Sequence, residues 1–302
     1  MTGPLVPVGR RARVRVPATS ANLGPAFDSA GLALGLYDEV EVVVAGGGCE
    51  VGVEGEGADE VPRGEDHLVV RVMRRAFQVA AVPQPGLVLR TVNLIPHGRG
   101  LGSSAAATVA GLVAARGLLD PAAAARLDDR TLLALAVEFE GHGDNVGACL
   151  LGGLVLVWGS GANLRATRLA LDPRVSATVL VPQTQLSTAR ARGLLPESVP
   201  HRVATHAAGH AALLVHALTG RPDLLLAATE DRLHQPYRAS AFPESMALVE
   251  RLRAAGRAAM ISGAGPSVLV LAEDGDEPVP AVAGWSVRPL PVDLAGAHVL
   301  VG

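Results

Sequence analysis

An α+β fold is predicted for this chain on three observations. Helical and strand-like periodicities interleave along it, the first third is the richest in strand patterns joined by hairpin-like connections, and no segment repeats at a fixed period. Its 302 residues suffice for one large domain or two ordinary ones. A hydrophobic content of 49% against 18% charged residues places it among folded rather than disordered chains. Aromatics are only 3%, so the core must be built mainly from Ala, Val and Leu.

Residues 11–17 (RARVRVP) alternate polar and apolar side chains, as a half-buried strand does, and run into the polar loop 18–28. Residues 38–44 (DEVEVVV) read as a second strand that 51–53 extend, and the acidic, Gly-rich 54–66 as a surface loop. Apolar residues at helical spacing over 67–81 predict a helix ending before Pro83, and 87–95 predict a strand. The Ala-rich 103–119 is a helix with Ser103 or Ser104 as its N-cap and Asp120-Pro121 as its stop. A helix over 130–140 precedes strands at 150–158, 166–171 and 177–181. Helices follow at 203–218, 221–233 and 244–255, then strands at 258–261 and 267–272 around the loop 263–266. A Gly/Ser cluster at 159–163 marks a boundary, dividing the chain into 1–165 and 166–302.

Composition excludes whole mechanisms. All 26 basic residues other than histidine are arginines, and there is no lysine. That removes the Walker A loop, the protein-kinase design with its third-strand lysine, and Schiff-base chemistry. A net charge of -3 argues against nucleic-acid binding through bulk positive charge. Cys49 and Cys149, far apart, make neither a disulfide framework nor a zinc site. The first 16 residues hold no apolar signal core, and the longest uncharged run, 145–164, is broken by five glycines. The expectation is a cytoplasmic protein with no membrane partner.

The most informative stretch is Pro96-His97-Gly98-Arg99-Gly100-Leu101-Gly102-Ser103-Ser104-Ala105-Ala106. Its glycines allow tight turns and close approach of a ligand, and the helix that follows offers unpaired N–H groups and a favourable dipole to an anion. Three readings are open from the loop alone: a phosphate cradle, a serine-capped connector, or a G-x-G-x-x-A dinucleotide fingerprint. The last lacks its context, since 96–99 separate the loop from the strand and no second strand ends in an acidic residue downstream. Three other segments combine polar groups with turn residues: 19–28 (TSANLGPAFD), 140–145 (EGHGDN) and 262–267 (SGAGPS).

Together, PHGRGLGSSAA, TSANLGPAFD and SGAGPS resemble the motifs of the GHMP small-molecule kinases, over nearly the whole chain from about residue 14 to 271. EGHGDN, STARARGLLP and HQPYR are similar to the homoserine-kinase branch. The resemblance implies two α+β domains with the active site in the cleft between them, ATP and Mg²⁺ as cofactors, L-homoserine as substrate, and a homodimer. It implies that Pro96 to Ala106 wrap the phosphates, that Ser104 and Glu140 hold Mg²⁺, and that Glu138 is the neighbouring alternative. For the amino acid it implies Arg192 and Arg238 around the carboxylate, Thr188 as a further substrate-binding residue, Asp144 on the ammonium, and Asn22, Asp28 and His142 as the frame. Asn145 reaches the hydroxyl in the same reading, so Asp144, Asn145 and Ser104 form the catalytic set. No lysine is present to assist an aspartate base, and the branch implies none. The chain departs from the family pattern at Gly143, where many relatives carry proline, which loosens the turn before Asp144.

One further pattern stands outside the resemblance. His206 and His210 lie four apart on an expected helix, with His201 and His216 nearby. Such a pair can bind zinc, but no third ligand accompanies it in sequence, and it reads as an ordinary helical surface.

Overall fold

The computed structural model describes residues 5–300. Its first part comprises β1 (Arg11–Ala21), β2 (Ala30–Ala45), β3 (Cys49–Gly55), α1 (Leu68–Val79), β4 (Gly86–Asn93), α2 (Ser103–Leu118), α3 (Pro121–Ala124), α4 (Asp129–Glu140), α5 (Asp144–Leu151), β5 (Leu154–Trp158) and β6 (Arg165–Leu169). The second comprises β7 (Val175–Pro182), α6 (Thr188–Arg192), α7 (His201–Gly220), α8 (Leu225–Ala228), α9 (Gln235–Arg238), α10 (Pro243–Ala254), β8 (Ala258–Ile261), β9 (Val268–Glu273), β10 (Trp285–Leu290) and β11 (His298–Val299).

Two sheets carry the fold, which is α+β as the interleaved patterns indicate. The first has seven strands, ordered β11-β1-β2-β4-β3, with β5 on the start of β2 and β6 on β5. Only β3 and β4 run parallel. The second is antiparallel, ordered β10-β7-β9-β8. The change of sheet falls between Leu169 and Val175, and the chain after β10 returns to the first sheet as β11. That return uses a bulge in β2, opposite Pro17 of β1. Pro17 has no N–H for the ladder, and the register jumps from Pro17↔Tyr37 to Ala18↔Leu34. In the gap, Gly35 N–H donates to Pro291 O at 2.8 Å and Leu34 pairs with Val292.

The helix α2 is buried on nearly every side, as its run of Ala and Val dictates, and packs on α1, β1, α4 and α5. This fixes the position of its N-terminus at the end of β1. No helix among the described residues is long and apolar enough to cross a membrane.

Three expected elements differ. The strand over 150–158 begins as the helix α5, because the apolar run after Asn145 satisfies either period. The strand at 38–44 starts earlier, at Ala30. The helix over 221–233 is only one turn, α8. There Thr229 Oγ1 bonds back to Leu225 O at 2.8 Å, and Asp231 takes the N–H groups of Leu233, His234 and Gln235, which turns the chain out of the helix.

Candidate active site

Six segments meet where the two sheets adjoin: the end of β1, the glycine loop, the α4–α5 junction, α6, α9 and the loop 262–266. Short polar bonds join them. Ser262 Oγ bonds Ser20 Oγ at 2.8 Å and Gly100 O at 2.7 Å, and Asn22 Nδ2 donates to Gly263 O at 2.9 Å.

The glycine loop turns its carbonyls into the protein. Gly98 O accepts from Leu186 N–H, Gly100 O from Ser262 Oγ, and Leu101 O from Thr19 N–H. Among the described residues, no backbone hydrogen bond is made by the N–H groups from Gly98 to Ala105. The loop is therefore a run of unpaired donors continuing into a helix N-terminus, the arrangement that receives phosphate. The N-cap of α2 is Gly102, not Ser103 or Ser104, so no side chain occupies those donors. Gly102 has φ 72°, and a Cβ there would lie 2.0 Å from Thr19 Oγ1 and 3.2 Å from Asn145 Oδ1. Gly102→Ala is expected to destabilise the fold by about 1–3 kcal/mol and to raise the KM for nucleotide, measured by urea unfolding and initial rates.

Ser104 Oγ donates to Glu140 Oε1 at 2.6 Å, and Thr108 Oγ1, one turn further along α2, donates to the same oxygen at 3.0 Å. Glu138 instead pairs with Arg75 at 3.0 Å on the surface. Of the two glutamates, only Glu140 faces the cleft. Its surroundings are hard oxygen donors, the chemistry that suits Mg²⁺.

At the other end, Asp144 is 1% exposed. Its Oδ1 meets His142 Nδ1 at 3.0 Å and accepts from Asn145 N–H at 2.8 Å, while Asn145 Oδ1 accepts from Thr19 Oγ1 at 2.8 Å. Burial would lower the pKa of His142, but the hydrogen bond and charge of Asp144 outweigh it, and the net shift is upward. Gly143 does not loosen this turn: its φ is −101°, and Val157 fills the space a side chain would take, with Cγ1 2.5 Å from a Cβ placed there.

Arg238 is 2% exposed. Its Nε donates to Ala191 O at 3.1 Å and its Nη1 to His234 Nδ1 at 3.3 Å, while His234 Nε2 donates to Gly24 O at 2.9 Å. Burial lowers the pKa of His234, so the ring is neutral with its proton on Nε2, as these bonds require. Arg192 forms a two-toothed pair with Asp28, at 3.0 and 2.5 Å, and both arginines lie over the Phe27 ring, at 5.5 and 5.1 Å. Asp28 and Asn22 hold positive φ, 55° and 69°. The Oδ1 of Asn22 accepts from Asp28 N–H at 3.0 Å, which fixes that strained turn.

Of the residues expected in the site, Asn22, Asp28, Ser103, Ser104, Ala105, Glu140, His142, Asp144, Asn145, Arg192, Arg238 and the loop glycines line one cavity. Arg99 belongs to the loop only through its backbone. Its guanidinium donates to Pro182 O and Gln183 O, both at 3.0 Å, and so fastens the loop to the end of β7. Leu101 is buried, and the Thr188 side chain lies outside the described positions. Sequence reasoning assigns no role to Thr19, Thr108, Asp231 or His234: the first two and His234 act through contacts distant in the chain, and Asp231 through the local turn it caps. Ala106, His97 and Gly98 line an adjoining, mainly apolar cavity of about 300 Å³ with Val40, Leu68 and Ala110. His67 Nδ1 and Thr91 Oγ1 in its wall are buried without a partner.

Asp38, also in that wall, anchors the start of the loop. Its Oδ1 accepts from Leu94 N–H at 2.6 Å and Ile95 N–H at 2.9 Å. Burial nonetheless raises its pKa to about 6 from 3.8. Because the folded pKa lies above the unfolded one, the stabilising contribution is full below pH 3.8 and is lost as pH rises through about 6. The loss amounts to about 3 kcal/mol. Asp38→Asn keeps the accepting oxygen and removes the charge. The stability of wild type relative to this variant, from urea unfolding, is expected to fall by about 2.5 kcal/mol of that between pH 4 and 8.

The family model of the GHMP kinases N terminal domain matches residues 67–153, and that of the GHMP kinases C terminal matches 211–286. The chain is 56% identical to a homoserine kinase of Streptomyces coelicolor over 291 residues, covering 95% of this chain and 94% of that protein. It is 49% identical to the homoserine kinase of Mycobacterium tuberculosis, covering 98% and 96%. The crystal structure of homoserine kinase from Cytophaga hutchinsonii superposes with a TM-score of 0.84 at 27% identity, covering 96% and 98%.

Proposed function

The chain belongs to the GHMP kinases and, within them, to the homoserine kinases, and on that premise we propose that its cleft transfers the γ-phosphoryl group of ATP to the side-chain hydroxyl of L-homoserine. The products are O-phospho-L-homoserine and ADP, and the reaction is a step of threonine biosynthesis. One observation carries the reading. A run of unpaired backbone donors and a constellation of both charge signs, Arg192 and Arg238 against Asp28 and Asp144, line the same cavity. A zwitterionic alcohol needs both signs, whereas a neutral sugar needs neither arginine.

In this reading the triphosphate lies along the N–H groups from Gly98 to Ala105, which replace the absent lysine, and the adenine enters the apolar cavity beside His67. Ser104 and Glu140 would hold Mg²⁺, which when bound offsets phosphate charge. Arg238, with Arg192, binds the substrate carboxylate, and Asp144 binds the ammonium. Asn145, held by Thr19, orients the hydroxyl. Its oxygen attacks the γ-phosphorus as the bond to the ADP oxygen breaks. The hydroxyl proton leaves late, to an oxygen of the transferred phosphoryl group, so positioning rather than a side-chain base carries the rate.

A coupled assay of ADP release across homoserine, mevalonate, galactose and shikimate tests the assignment. Turnover with homoserine alone is expected, and release with mevalonate but not homoserine overturns it. Membership also carries the expectation of a cytoplasmic location and of a homodimer, the latter measured by light scattering on the purified chain.

A further inference from the structure

The histidine pair on α7 has a third partner that the sequence conceals. Glu230 lies 20 residues beyond His210, after α8, yet one ligand atom from each of His206, His210 and Glu230 falls within 4.8 Å of the others. His206 Nε2 stands 3.8 Å from Glu230 Oε1. The two imidazoles stack with centroids 3.6 Å apart at 26°.

Two details go beyond proximity. His206 Nε2 is buried and has no hydrogen-bond partner, so its lone pair or proton is unused. His210 Nδ1 bonds His206 O at 2.9 Å. A carbonyl can only accept, so Nδ1 carries the proton and Nε2 is left as a free lone pair. Metal-ligating histidines are oriented in this way, with the second ring nitrogen donating to a backbone carbonyl. The carboxylate is held ionised by hydrogen bonds from Arg232, which use Oε1 at 2.9 and 2.7 Å and leave Oε2.

We propose that His206, His210 and Glu230 form a binding site for a zinc-class divalent cation, with the fourth tetrahedral position open to water. The nitrogen ligands separate it from the all-oxygen surroundings of Ser104 and Glu140. Its position gives it a consequence. Glu230 precedes Asp231, whose carboxylate holds the turn that carries His234 and Arg238, so the ion would clamp α7 to that turn.

The test uses the full, tag-free chain stripped of metal with a chelator. Zn²⁺ is titrated in competition with a chromophoric chelator, with Mg²⁺ in excess throughout, and Co²⁺ is followed by its visible absorption. One equivalent is expected to bind, with a Co²⁺ spectrum of tetrahedral type and a thermal midpoint raised by Zn²⁺. His206→Gln and Glu230→Gln are each expected to weaken binding at least about 100-fold, since loss of even a supporting partner costs 10–100-fold. Glu230→Gln lies outside any long helix and keeps the comparison open if His206→Gln fails to fold. Zinc bound equally by wild type and Glu230→Gln, or no stoichiometric binding by wild type, overturns the proposal, whatever the outcome of the kinase assay.

Discussion

Arg238→Ala is expected to raise the KM for homoserine about 10²–10³-fold while leaving the KM for ATP within a few-fold. Arg238 spends Nε on Ala191 O and Nη1 on His234 Nδ1, among the described residues its Nη2 has no partner, and the residue lines the cleft. A carboxylate received there meets a cation already desolvated and locked in orientation. Removing one partner of such a buried charge pair costs about 2–5 kcal/mol, which sets the expected range. Lysine is no rescue, because it cannot keep both supporting bonds and still reach the ligand. The loss must also be specific to the carboxylate. 3-Aminopropan-1-ol is homoserine without that group, and wild type and variant should handle it equally poorly, the missing step of a double-mutant cycle. Equal loss on both substrates would mean that Arg238 only holds α9 in place.

That arginine also shows what the sequence could and could not reveal. Its place after the Gln235-Pro236-Tyr237 turn was legible as a motif, and so were the glycine loop, Glu140 and Asp144, because each lies in a short run that resembles a family motif. His234 was not. Its role depends on Gly24, 210 residues earlier, and no periodicity encodes a contact that distant. Thr108 falls in an Ala-rich helix where one more small polar residue carries no signal, yet its hydroxyl bonds the same oxygen as Ser104. The strand expected over 150–158 takes in the end of α5 for a different reason: VGACLLGGLVLVW fits a buried element of either kind. What decides it is Gly143, whose carbonyl accepts from Gly147 N–H at 2.8 Å and starts the first turn. Glu230 shows the same limit from the other side. Two histidines four apart are visible in one line of sequence, and the carboxylate that gives them chemical meaning is visible only in three dimensions.

Asp144→Asn separates two accounts of the phosphoryl step. The carboxylate could bind the substrate ammonium or take the hydroxyl proton, and the two demand different losses. Oδ1 is already engaged by His142 and by the Asn145 N–H, so a ligand meets chiefly Oδ2. The upward shift of the His142 pKa reports a carboxylate charge acting on this neighbourhood, the field an ammonium would share. Asparagine keeps an accepting oxygen for both existing bonds, removes the charge and puts an NH2 donor where Oδ2 accepts. If the charge serves the ammonium, the homoserine KM should rise about 10²–10³-fold, the cost of leaving a cation unpaired in a desolvated site. The kcat should change less than about tenfold, because positioning of ATP is untouched. If the carboxylate is instead the base, kcat should fall about 10²–10⁴-fold at unchanged homoserine affinity. A second readout guards against mere disorder. The His142 pKa, followed by NMR, should move down in Asp144→Asn, because the hydrogen bond and charge that raise it weaken while its burial remains. A variant with the expected KM but an unmoved His142 would place the loss elsewhere in the cleft.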